Sequence, residues 1–319
     1  MDLSIIIVNW RSARDLETCL RSLASQAIPF SHEIWVIDNA SYDGSDRMLA
    51  EKFPHVRFIQ SDRNLGFAAA NNRVAREAAG DCLLFLNPDT ELRDQALRRL
   101  CLALQTNPEA GVAGPRLLNT DGSLQASCVQ ALPTLWNSLL DAEVLRRRFP
   151  RSSLWGNRVL FEPVAAPAPV GMVSGACLLT RRDLFQRLGG FSEEFFMYYE
   201  DADYCRRVRD AGSQVFYVPQ AVVVHHGGNS SRQQVSRFAA VTMVESCAKY
   251  LRQHSGATTV IFFRLGLILC SSLRLLALAG LAAARFLTGQ GPGSLASGAK
   301  WRFVLEWSLW PKSQTPKSP

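Results

Sequence analysis

Residues 3–10 read LSIIIVNW. From Leu3 to Val8 the run is apolar except for Ser4, is rich in β-branched side chains, and stops on a polar residue, Asn9. A short run without polar alternation predicts a parallel strand covered on both faces. The same pattern recurs at residues 33–37 (EIWVI), which run into Asp38-Asn39, and at residues 82–86 (CLLFL), which run into Asn87-Pro88-Asp89. Between them lie a helical pattern at 13–27 with Leu16, Leu20 and Leu23 in register, a short helix at 45–52, a strand at 56–60 and an alanine-rich helix at 71–79; a helix at 92–106 follows. Strands alternating with helices at this spacing predict the α/β class, a doubly wound and mostly parallel sheet. Ligands of such sheets sit beyond the carboxyl ends of the strands. That rule directs attention to Asn9, Asp38, Asn39 and residues 87–89.

The pattern is harder to follow over residues 110–170, where Pro133, Trp136, Trp155, Pro163, Pro167 and Pro169 predict loops and a variable insertion. A buried strand resumes at 170–179, broken by Ser174-Gly175-Ala176. Helices are expected at 184–188 and 202–211, and extended segments at 214–218 and 221–224, the last running into His225-His226-Gly227-Gly228.

Each polar block suits a chemistry, and each also suits an ordinary structural role. Asp38-Asn39 can hydrogen-bond a nucleobase or ribose, or cap a strand end. Asn64-Leu65-Gly66-Phe67 and Asn71-Asn72 lie where a loop opens a helix, a place that accepts an anion or simply makes a turn. Asp89 offers the hard oxygen that Mg2+ or Mn2+ takes when it holds a diphosphate. Glu200-Asp201, after the aromatic run at 195–199, can supply a general base or an acidic first turn that complements a helix dipole. His225 can ligate a metal or serve the fold.

In this order the blocks resemble the inverting glycosyltransferases of family 2, and within them the rhamnosyltransferase-like group. The resemblance spans about residues 3–231 and rests on SIIIVNW, EIWVIDNASYDGS, RNLGFAAANN, LLFLNPDTEL, SGACLLTRR, LGGFSEEFFMYYEDADYCRRVRDAG and VPQAVVVHHGGNSS. It implies a GT-A fold over residues 1–235, with a nucleotide-binding half at about 1–110 and an acceptor half at about 111–235. Asp38 would read the nucleobase. Asn9, Asn39, Asn64, Gly66, Asn72 and Asn87 would lie on the donor side. Asp89 matches the last acid of the family's DxD metal motif, and His225 would be a further ligand of a divalent cation, Mg2+ or Mn2+. Asp201 would be the general base, while Ser174, Gly175, Ala176 and Glu200 would line the sugar and acceptor side. The first acid of DxD is Asn87 here, which brings no charge to the cation. The implied reaction moves a sugar, with rhamnose from a deoxythymidine diphosphate donor as one instance, to a saccharide or lipid-linked saccharide. A nucleotidyltransferase shares the sheet architecture, but it needs a glycine-rich N-terminal loop that Asn9-Trp10-Arg11 does not supply. A non-catalytic nucleotide-sugar-binding protein would have no use for Asp89, Asp201 and His225 together.

The chain has 319 residues and a net charge of +7. From Glu245 onward nine basic residues face two acids, an excess equal to the whole net charge. A neutral body with a basic, apolar tail fits an anionic membrane surface better than a nucleic acid. The eight cysteines form no CxxC pair and read as reduced thiols. The start lacks the basic, long apolar pattern of a secretory signal, which predicts a body on the cytoplasmic side. Residues 236–310 are expected to form a helical membrane-associating region. On a single helix over 260–287, Arg264, Ser271, Arg274 and Arg285 share a stripe about 80° wide, as expected of a helix lying in the membrane interface with its arginines toward headgroups. Trp301, Trp307 and Trp310 form a second interfacial candidate. Peripheral or monotopic attachment is favoured over a span, because a span would place Arg274 near the bilayer centre. Residues 311–319 are polar and predict disorder.

Overall fold

The structure is a computed structural model that describes residues 2–140, 143–162, 166–227, 237–287 and 296–312. The end of the HHGG block, from Gly228, and the tail from residue 313, expected to be disordered, lie outside the described residues.

The chain runs β1 (Leu3–Asn9), α1 (Ala13–Ala24), β2 (His32–Asp38), α2 (Ser45–Lys52), β3 (Arg57–Gln60), α3 (Gly66–Glu77), β4 (Cys82–Leu86), β5 (Thr90–Leu92) and α4 (Ala96–Thr106). It continues through β6 (Ala110–Leu118), β7 (Val129–Gln130), α5 (Leu135–Leu139), α6 (Glu143–Arg148), β8 (Ala168–Val170), β9 (Met172–Val173), β10 (Cys177–Arg181), α7 (Arg182–Arg187), α8 (Glu200–Asp210) and β11 (Gln214–His225). Three longer helices follow: α9 (Arg237–Ser255), α10 (Ala257–Leu287) and α11 (Ala296–Leu309). They divide between two compact units. One holds residues 1–132, 146–196 and 200–227; the other holds 133–145, 197–199 and 228–319.

The first unit is built on a nine-stranded sheet ordered β3-β2-β1-β4-β10-β6-β11-β5, with β8 beside β11. β1 to β4, β6 and β11 run one way; β5, β8 and β10 run against them. Ile5, Ile6 and Ile7 are fully buried, each worth about 1.5–3 kcal/mol of apolar burial. Leu16, Cys19, Leu20 and Leu23 are the buried face of α1. Since β10 is antiparallel, its first residue, Cys177, pairs with the last residue of β4, Leu86. The carboxyl ends of β1, β2, β4 and β11 therefore share one sheet edge with the amino end of β10.

Three elements differ from expectation. Residues 110–118 form β6, a strand hydrogen-bonded on both sides, where loops were expected. Gly111, Gly114 and Pro115 read as breakers, but Pro115 stands opposite Val218, where the register of β11 shifts, so its missing N–H falls at an irregularity. That shift also explains why 214–218 and 221–224 are one strand with an interruption at Pro219. Finally, α3 begins at Gly66 rather than at residue 71. Its first turns are alanines, which carry little hydrophobic periodicity.

The second unit corrects the reading of the tail. Arg264 and Arg274 of the α10 stripe are engaged by α11, whereas Arg285 is exposed. The Arg264 guanidinium donates to the carbonyl of Ser308 at 2.8–3.1 Å and to that of Leu309 at 3.4 Å, the carboxyl end of α11, where a cation is favoured. Arg274 lies 3.8 Å over the Trp301 ring, and Ser271 is buried. Trp307 is buried as well, leaving Trp310 exposed. The opposite side of α10 carries Ile261, Phe262, Leu265, Leu269, Leu273 and Leu276, each at least 57% exposed.

Candidate active site

The nucleotide end of the site is a web of side chains closing the loops after β1 and β2. Asn9 and Asp38 are register partners on adjacent strands. The Asp38 carboxylate accepts from Asn9 Nδ2 at 2.9 Å, Gln60 Nε2 at 2.8 Å, the amides of Ser41 and Tyr42 at 3.1 Å, and Ser41 Oγ. Burial raises its proton affinity, but these hydrogen bonds outweigh burial and hold the carboxyl below its ordinary value. Every acceptor position is in use, so a nucleobase N–H would have to take the place of one of these donors.

Three asparagines expected on the donor side, Asn9, Asn39 and Asn72, have their buried polar groups bonded within the protein. Asn9 also donates to Asp43 and accepts from Ser12. Asn39 accepts from the Leu65 amide and donates to Asn64 Oδ1 and the Gly66 carbonyl. Asn72 accepts from the Phe191 amide and donates to the Phe191 carbonyl and Glu193. They brace loops. Asn64 Oδ1 also accepts from the Gly66 amide. Gly66 has φ +80°, and a Cβ there would collide with the Phe196 carbonyl.

Asn87, Asp89 and His225 lie side by side. The Asn87 amide donates to the Ala176 carbonyl at 2.9 Å, and Thr90 Oγ1 ties the turn by donating to the Asn87 carbonyl at 2.7 Å. His225 Nε2 lies 3.3 Å from Asp89 Oδ1 and 3.4 Å from Asn87 Nδ2, and its Nδ1 lies 2.8 Å from Gln125 Oε1. Asp15, in the first turn of α1, has its proton affinity raised by burial and by the charge of Asp89. Asp89 Oδ1 and His225 Nε2 are an oxygen and a nitrogen donor side by side, a pair that suits a divalent ion completed by other ligands. Among the described residues no group of three or more His, Cys, Asp or Glu side chains is placed to hold a metal ion by itself. Asp89 and His225 would be its two protein ligands, leaving the other positions to phosphate oxygens and water.

Asp201 hangs from the loop before β10. Its Oδ2 accepts from the Gly175 amide and its Oδ1 from the Ala202 amide, both at 2.8 Å. Burial outweighs these bonds and raises its proton affinity. A Cβ on Gly175 would lie 3.3 Å from Asp201 Cβ, so glycine lets the carboxylate approach. Glu200 is buried, and its Oε2 has no hydrogen-bond partner. Burial and the neighbouring Asp201 push its carboxyl well above the ordinary range. Ser174 Oγ accepts from the Ala176 amide at 3.2 Å and shapes the same loop. Asp15 and Gln125 carried no signal in the sequence. All eight cysteines are free thiols, and one of them, Cys19, donates to the Asn87 carbonyl.

The family model described as glycosyl transferase family 2 matches residues 4–189. The chain is 35% identical over 251 residues to the N-acetylglucosaminyl-diphospho-decaprenol L-rhamnosyltransferase of Mycobacterium tuberculosis, covering 75% of this chain and 80% of that protein. It is 26% identical over 177 residues to the rhamnosyltransferase WbbL of Escherichia coli, covering 52% and 63%. Its fold is similar to that of the mannosyltransferase PcManGT from Pyrobaculum calidifontis, solved with GDP-Man and Mn2+. That match has a TM-score of 0.56 at 17% identity, over 98% of this chain and 88% of the other.

Proposed function

The chain belongs to glycosyl transferase family 2, and on that premise we propose that it is an inverting, cation-assisted rhamnosyltransferase that acts on a lipid-linked saccharide. The observation that carries the mechanism is Asp201, a carboxylate of raised proton affinity fixed by the Gly175 amide, in the loop that also bonds Asn87. Asp201 takes the proton of the acceptor hydroxyl as that oxygen bonds to the anomeric carbon. The bond from that carbon to the diphosphate oxygen breaks, and its electron pair leaves with the nucleoside diphosphate. Attack from the face opposite the leaving group inverts the centre. Asp89 and His225 would hold a divalent ion, which when bound would supply charge neutralisation for the departing diphosphate. Asp38 and the asparagine braces keep the nucleotide loops in place, and Ser174, Gly175 and Ala176 shape the sugar side.

Rhamnose and the lipid-linked acceptor rest on the mycobacterial relative, whose name specifies both. The length and exposed apolar face of α10 support attachment at a membrane, where a lipid-linked acceptor would be met. A panel of nucleotide sugars, assayed for nucleoside diphosphate release with and without Mn2+, tests the donor and the cation; release from a hexose donor in preference to deoxythymidine diphosphate rhamnose would overturn the sugar assignment. Asp201→Asn is expected to lower kcat by about 10²–10⁴-fold or more while donor affinity is unchanged. Because the base must be ionised, kcat/KM of the native enzyme should fall on the acid side at a pH above the ordinary aspartate value of 3.8. Near-native turnover in the variant would remove Asp201 from its role.

A further inference from the structure

We propose that Gln125 is a positioning residue that sets the tautomer of His225 and so keeps its Nε2 open as a cation ligand. The inference rests on the reading of Asp89 and His225 given above, and its first half is testable without it.

The argument starts from the amide. Gln125 Nε2 donates to Asn119 Oδ1 at 3.1 Å, and Asn119 Nδ2 donates to Ser123 Oγ at 2.9 Å. That chain orients the Gln125 amide so that Oε1, which can only accept, faces His225 Nδ1 at 2.8 Å. A ring nitrogen facing an acceptor at this distance carries the proton. His225 is thereby held as the Nδ1–H tautomer, with a bare lone pair on Nε2.

The backbone is held as firmly as the side chain. The Gln125 amide donates to the Leu117 carbonyl at 2.9 Å, and the Gln125 carbonyl accepts from the Cys128 amide at 3.0 Å. The same turn reaches the neighbouring histidine, since Thr120 Oγ1 lies 3.3 Å from His226 Nδ1. The His226 amide donates to the Asp89 carbonyl at 2.9 Å. The turn between β6 and β7 thus grips the end of β11 at two points.

Loss of the acceptor on Gln125 has a definite consequence. The ring proton can move to Nε2, which sits 3.3 Å from Asp89 Oδ1. His225 would then donate to Asp89, and the two ligand atoms would bond each other in place of the cation. Outer partners of metal-bound histidines commonly carry about 10–100-fold in metal affinity.

The test uses the full chain, with Gln125→Met removing the acceptor at similar size and Gln125→Glu restoring one. The five histidines are labelled with ¹⁵N, and His225 is assigned by its loss in His225→Ala. The native protein and Gln125→Glu are expected to show a protonated Nδ1 and bare Nε2, and Gln125→Met a shift toward Nε2–H. Binding of Mn2+ alone, read by the paramagnetic resonance of the free ion, should weaken about 10–100-fold in Gln125→Met and much less in Gln125→Glu. An unchanged tautomer, or unchanged Mn2+ affinity, in Gln125→Met would overturn the proposal. If His225→Ala binds Mn2+ as the native chain does, the cation reading of His225 fails, whereas the tautomer comparison still decides the part played by Gln125.

Discussion

Glu200 and Asp201 are adjacent carboxylates with unequal partners. Asp201 accepts two amide hydrogen bonds, while Glu200 is buried with Oε2 unbonded. The folded protein therefore holds the Glu200 proton well above the ordinary value of 4.5. Between that ordinary value and the raised one, the unfolded chain has released the proton and the folded chain keeps it. Stability from this group is complete below the ordinary value and is lost as pH rises through the window. Glu200→Gln carries no such penalty, so its unfolding midpoint should exceed that of the native chain at pH 8 and converge with it near pH 4. Each kcal/mol released is worth about 2–4 °C in a domain of this size. Melting curves across pH check this, and a variant less stable at pH 8 would refute it. At this scale the sequence was legible where the residue type limits the chemistry, as at Asp89, Asp201 and His225. Gln125 was not legible, because it lies 100 positions from His225 and only the fold selects that pairing.

Among the elements, the loop that opens α3 depends on one backbone geometry. Gly66 has φ +80°, and the Phe67 amide donates to the Phe196 carbonyl at 2.8 Å just beyond it. Gly66→Ala forces a side chain into the left-handed region and against that carbonyl. It should destabilise the chain by at least about 1–2 kcal/mol and weaken donor binding, because Asn39 and Asn64 are tied to the same loop. Denaturant unfolding together with nucleotide titration measures both, and native values in each would exclude the clash. The strands with continuous apolar runs were legible because burial on both faces leaves a plain mark. β6 left none, since Gly111, Gly114 and Pro115 are tolerated only through what lies against them: Leu184, Val208 and Val173 where a Cβ would stand, and the register shift of β11 beside Pro115.

Across the whole molecule, the unresolved matter at sequence level was what α10 does with its arginines. Its 31 residues span about 46 Å, more than the roughly 30 Å hydrocarbon core of a bilayer. Arg264 and Arg274 are engaged by α11 within the second unit, and the opposite face offers Ile261, Phe262, Leu265, Leu269, Leu273 and Leu276 to lipid. Attachment should therefore persist in high salt and yield to detergent. Leu269→Asp with Leu276→Asp places two charges on that face, each costing about 3 kcal/mol near the bilayer centre. The doubly substituted chain should move to the supernatant while turning over a water-soluble acceptor analogue normally; sedimentation unchanged by the two charges would exclude this face as the anchor. The sequence by itself determined the α/β class, the polar residues at the strand ends and the apolar tail, because periodicity and residue chemistry are local properties written in order along the chain. Only the tertiary structure decided the path of β6, the partner of His225 and the direction of the arginine stripe. Each of those depends on a partner distant in sequence, and pairings at that separation leave no periodic trace.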